Sequence, residues 1–168
     1  MTVILRNMRK KLVLWTVAGG AVLAMLGCSD APKPAESQPV KQAAAPKPAD
    51  ETRWLPHENL VESHVVDREL MGKSFMPGGT LAHYKKGKLE YDVFLVRMAD
   101  ANAAAFALPD WRKALAEAKL VPSFGGYFGT DAGRPVFVFS KGTWLAGIAG
   151  LQEKDADAAA REVASRLN

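Results

Sequence analysis

The sequence predicts an α+β domain: an antiparallel β-sheet with about three helices packed on it in the order ββ-α-βββ-α, behind a leader and a linker. Three observations carry that expectation. Two pairs of apolar-rich runs are each joined by a short segment containing Gly87 or Gly142, which is how β-hairpins read. Alanine-rich stretches after Asp100 and Asp155 space their apolar residues for helices. Strands come in groups separated by helices, which favours helices laid on an antiparallel sheet.

The chain begins with a positive cluster, Arg6, Arg9, Lys10 and Lys11, followed by the uncharged, largely apolar run 12–26. A basic region, a short apolar region and a small-residue cleavage site make up a secretory leader. Fifteen residues fall short of the roughly 20 that span a bilayer as a permanent helix. Met8 followed by Arg-Lys-Lys would serve equally well as the start. The run ends in Met25-Leu26-Gly27-Cys28, which resembles the lipobox of bacterial lipoproteins, with Met where Leu is more usual. The resemblance implies cleavage between Gly27 and Cys28 and acylation of the Cys28 thiol and its new amino terminus. Ser29 in the next position resembles the outer-membrane sorting pattern, although Asp30 follows.

Residues 28–53 read as a lipidated cysteine and a disordered tether. The stretch is rich in Ala, Pro, Lys and Gln, repeats Ala-Pro-Lys-Pro-Ala at 31–35 and 45–49, and has a single β-branched aliphatic residue, Val40, before Thr52. Such a composition buries too little apolar surface to offset the entropy of ordering. At about 3.1 Å per residue its 24 or so residues would reach roughly 75 Å. The Pro-x-Pro spacing is not that of a Pro-x-x-Pro docking peptide.

The single domain is expected over 54–168, opening at Trp54. Residues 59–71 fit either a short strand or an amphipathic helical turn, and 75–80 form a Pro-Gly-Gly loop. Leu81–Tyr84 and Leu89–Met98 make a hairpin. The second strand is apolar on both faces, as in a strand covered on each side. Asp100 caps a helix through Ala107. Pro109 restarts a second helix over 110–119, with Trp111, Leu115 and Ala118 on one face. Residues 122–129 return to extended chain. A second hairpin joins 135–139 to 143–149. Asp155 caps the last helix, whose stripe is Ala156, Ala159, Ala160, Val163 and Leu167.

Three segments resemble an uncharacterised family of small secreted bacterial domains. They are Gly78-Gly79, Met98 leading into 100–106, and Phe139-Ser-Lys-Gly-Thr-Trp144. The likeness spans roughly 75–168 and implies a fold without implying an activity.

The formal charge of +4 belongs to the leader. Without those four cations, 18 basic residues face 18 acidic ones, so no basic patch speaks for nucleic acid. Cys28 is the sole cysteine, which leaves no disulfide or thiolate metal site. His57, His64 and His83 sit on separate elements without helical metal-site spacing. Gly72-Lys73-Ser74 ends like a phosphate loop, but Asp67 stands where its first glycine belongs. Ser140-Lys-Gly-Thr143 reads as a hairpin turn rather than a catalytic triplet. Asp155 and Asp157 flank a helix start, where carboxylates favour the helix dipole. No cofactor and no metal are expected.

One candidate binding patch stands out: Phe124, Tyr127 and Phe128 in a glycine-rich stretch, with Trp111 and Trp144. Such rings either form a contact surface or fill the core of a small domain without disulfides. The functional expectation is a membrane-anchored envelope lipoprotein, most consistent with the outer membrane, whose domain is a non-catalytic binding or accessory module facing the periplasm. Its partners would be the membrane, through the lipid, and an envelope protein or glycan. The alternatives are a periplasmic hydrolase whose site assembles only in space, and a small-ligand sensor or carrier.

Overall fold

The computed structural model describes residues 47–168; the leader, the lipobox with Cys28 and residues 29–46 lie outside the described residues. Seven strands form one antiparallel sheet: β1 (Leu60–Arg68), β2 (Pro77–Lys86), β3 (Leu89–Arg97), β4 (Ala116–Val121), β5 (Gly126–Asp131), β6 (Arg134–Lys141) and β7 (Trp144–Ala149). Their spatial order is β1-β2-β3-β7-β6-β5-β4. Two meanders thus share one sheet, and the second returns its last strand to pair with β3.

Among the described residues α-helix occurs at two places in this topology, not three. Between β3 and β4, α1 (Ala101–Phe106) and α2 (Leu108–Ala114) run on through Ala107, itself in helical conformation. After β7 comes α3 (Glu153–Arg166). The order is therefore βββ-α-ββββ-α, which corrects the expected ββ-α-βββ-α by two strands.

Both extra strands have a non-local cause. Residues 60–68 become β1 by pairing along β2, with a bulge between Leu60 and Glu62. The second helix was expected to reach Lys119 but stops at Ala114, and 116–121 extend as β4 against β5. Helix propensity in Ala-Glu-Ala-Lys favours the helix by only tenths of a kcal/mol per residue. Pairing with β5 instead satisfies a row of backbone donors and acceptors that would otherwise line an open edge. Glu117, at φ 53°, takes the bulge that this late switch requires.

The hairpins form as their turn residues dictate. Gly87 and Gly142 adopt φ of 62° and 56°, a region glycine enters without a β-carbon penalty. Asp100 caps α1 by accepting the Ala103 amide at 2.8 Å. Asp155 does not cap α3: Gln152 occupies that position without a side-chain bond, and Asp155 sits in the first turn.

The sheet is covered on both faces. On one, α3 lays Ala156, Ala160, Val163 and Leu167 over Val93, Leu95, Phe137, Phe139, Ala146 and Ile148, joined by Leu55. On the other, Trp111 of α2 and Leu70 and Met76 of the β1–β2 connection cover Phe94, Val96, Val136, Val138 and Leu145. Phe94 and Trp111 stack with ring centres 5.4 Å apart. Gly147 is required there, since a β-carbon would run into the Phe94 ring.

Candidate functional site

Register divides the sheet into two ends. At one end lie Gly78 of β2, Arg97 of β3 and Trp144 of β7; at the other lie Lys86, Leu89 and Ala149. The eight steps of β3 put them about 27 Å apart.

The entering chain docks at the first end. Pro48 occupies the space a β-carbon on Gly78 would need, beside the Val66 and Asp67 carbonyls. The Glu51 amide donates to Thr80 Oγ1 at 2.9 Å. The Glu51 side chain, 5 % exposed, accepts the Trp54 indole N–H at 3.1 Å and faces Arg53 at 3.5 Å and Arg97 at 3.8 Å. Arg97 lies over the Trp144 ring, 5.0 Å from its centre, and Trp54 packs against the same ring at 5.9 Å. The folded unit therefore begins by Pro48, several residues before the expected boundary at Trp54. Glu51, which composition placed in the tether, is one of its buried polar groups.

The far end carries a groove of about 390 Å³ between α3 and the β2–β3 hairpin. One wall is α3, presenting Asp155, Ala158, Ala159 and Glu162; the other is Lys86, Leu89, Tyr91 and Leu151. Spacing of three, four and seven residues places the four α3 residues on one helix face. Leu89 is 49 % exposed, and the half-buried Tyr91 stacks on buried Tyr84 with centres 5.1 Å apart. The Tyr91 phenol is pushed above its ordinary value, first by burial, then by the charges of Glu162 and Glu58.

On the opposite face, the same end carries a polar row across the strands. Asp92 receives His83 Nδ1 at 2.8 Å and Arg134 at 2.6 Å, and Arg134 also donates to the Ala149 carbonyl at 3.0 Å. Arg134 stands opposite Asp131, which Lys73 reaches at 2.7 Å. The lysine of the rejected phosphate loop is thus a structural ion-pair partner.

The sequence-derived patch does not assemble into one surface. Trp111 and Trp144 are fully buried, on opposite faces of the sheet. Phe124 and Phe128 pack toward the α3 side, with Phe124 edge-on to Phe137 at 5.5 Å, while Tyr127 packs toward the α2 side. Alternation along β5 separates neighbouring rings by the thickness of the sheet. The groove residues went unnoticed because only the α3 half has a local signature, and nothing in sequence pairs it with Leu89 and Tyr91. His57 and His64 are exposed; His64 stands opposite Leu81 on β2, two residues from His83 and on the same face, yet among the described residues no three His, Cys, Asp or Glu side chains converge as metal ligands.

No family model, no curated protein and no solved structure matches this chain.

Proposed function

We propose that this chain is a lipid-anchored envelope protein whose domain acts as a periplasm-facing binding or accessory module. One observation carries the module reading: an open, part-apolar groove lies at the end of the sheet about 27 Å from where the chain enters at Pro48. An anchor on Cys28, ahead of a Pro-rich spacer, would keep the domain at the membrane while leaving the groove free to meet a partner in the periplasm. The lipobox resemblance supports the anchor, since several acyl chains hold a protein stably where one does not.

The test has two arms. Radiolabelled palmitate should enter the wild-type chain and not Cys28→Ser, which should leave the membrane fraction. In-cell photocrosslinking from positions 89 and 158, with 106 as an exposed control, should give a discrete adduct only from the groove. Unlabelled wild type sinks the anchor; silence at both groove positions counts against a macromolecular partner there.

A hydrolase is the second reading, favoured by the His83–Asp92 pair, since a carboxylate orienting an imidazole is a general-base arrangement. It predicts that His83→Ala, at normal protein level, fails to complement a deletion strain, and that the groove variant Leu89→Ser complements fully.

A further inference from the structure

We infer that the groove between α3 and the β2–β3 hairpin binds a linear aliphatic polyamine; this rests on the domain being a binding module. Asp155 and Glu162 are seven residues apart on α3 and both line the groove, so their backbones are separated by about 10.5 Å along the helix. Between them stand Ala158 and Ala159, too short to fill the channel. The facing wall is Leu89, Tyr91 and Leu151.

Two carboxylates bracketing an apolar strip match an alkyl chain with an ammonium near each end. The terminal ammonium groups would sit at Asp155 and Glu162, the methylenes would lie on Leu89 and the Tyr91 ring edge, and an internal ammonium would face solvent at the open mouth of the groove. An exposed leucine and a half-buried tyrosine offer apolar area to cover, which makes chain length matter as well as charge. The balance of charge favours a cation over an anion: the lining holds two carboxylates against one ammonium, Lys86. Two features oppose occupancy and give the assignment its teeth. Glu162 already faces Arg166 at 4.0 Å, a loose, exposed pair that a ligand ammonium can replace. Lys86 repels an amine, so removing its charge should tighten binding.

Calorimetric titration of the full-length, detergent-solubilised protein with spermidine tests this, with n-pentylamine and adipate as single-cation and dianion controls. Spermidine should bind one to one, pentylamine more weakly, and adipate without saturation. Asp155→Asn and Glu162→Gln should each weaken spermidine about threefold and together about tenfold, Leu89→Ser should weaken it too, and Lys86→Met should strengthen it. These side chains are on the surface, so the variants should keep the wild-type unfolding midpoint. A flat spermidine isotherm, or one unchanged in the double variant, overturns the polyamine assignment. A flat isotherm beside a discrete adduct from position 89 would do so while leaving the module reading intact; unlabelled wild type in the palmitate assay bears on the anchor alone.

Discussion

Pro48 fills the space that a β-carbon on Gly78 would require. The end of a Pro-rich stretch and the start of a strand thirty residues later are therefore built for each other. Glycine is needed at 78 for room rather than for an unusual backbone angle.

That relationship makes Gly78→Ala a specific lesion. The added methyl would meet the Val66 and Asp67 carbonyls as well as Pro48, and overpacking of this kind costs about 1–3 kcal/mol. The urea midpoint should fall, and limited proteolysis should cut between 47 and 53 well before global unfolding. Stability equal to wild type with an uncut segment would show that Pro48 does not dock there.

Glu51 should behave as an acceptor that the fold cannot lose. Glu51→Ala strands the Trp54 indole N–H and leaves Arg97 facing an emptied site, a loss of about 1–3 kcal/mol. Glu51→Gln keeps a carbonyl oxygen for Trp54 and should cost less. Chemical unfolding followed by tryptophan fluorescence reads both, since Trp54 and Trp144 lie against each other.

Alkaline pH should unfold this domain through Tyr84. Its hydroxyl donates to the Pro56 carbonyl at 2.8 Å, and burial, the largest cause, pushes the phenol far above its ordinary value. A raised folded-state pKa means that the unfolded chain ionises first. Stability is then full below ~10 and falls as pH rises beyond it toward the folded value. Tyr84→Phe should lower stability at neutral pH by about 1 kcal/mol for the lost hydrogen bond and flatten the decline above pH ~10. An unchanged alkaline slope would place the sensitivity elsewhere.

The aromatic residues should divide by burial rather than by type. Trp111→Ala removes a fully buried ring stacked on Phe94 and should cost about 3–5 kcal/mol. Phe106, 75 % exposed at the end of α1, should tolerate Ser within about 0.5 kcal/mol. Thermal melts of the two variants decide this. A comparable loss at Phe106 would mean that its exposed ring is covered in solution.

What could be read without the structure was local. The β2–β3 and β6–β7 hairpins follow from alternation and from single glycines at 87 and 142, the start of α1 from Asp100, and the buried stripe of α3 from its own spacing. Each depends on residues a few positions apart, where turn and helix geometry alone decide.

The rest depended on partners far along the chain. A bias of tenths of a kcal/mol per residue toward helix at 116–119 gave way to the hydrogen bonds of the β5 edge. The ambiguous stretch at 60–68 became β1 because β2 offered it a ladder. Glu51 entered the fold because Thr80, Arg97 and Trp54 converge on it. The aromatic cluster was divided because adjacent strand residues point to opposite faces of a sheet covered on both sides. The groove exists only where α3, set by the end of β7, crosses the start of β3. Sequence by itself determined which segments could turn, cap and alternate. Tertiary structure decided which strands met, because strand register and shared walls join residues that no local rule connects.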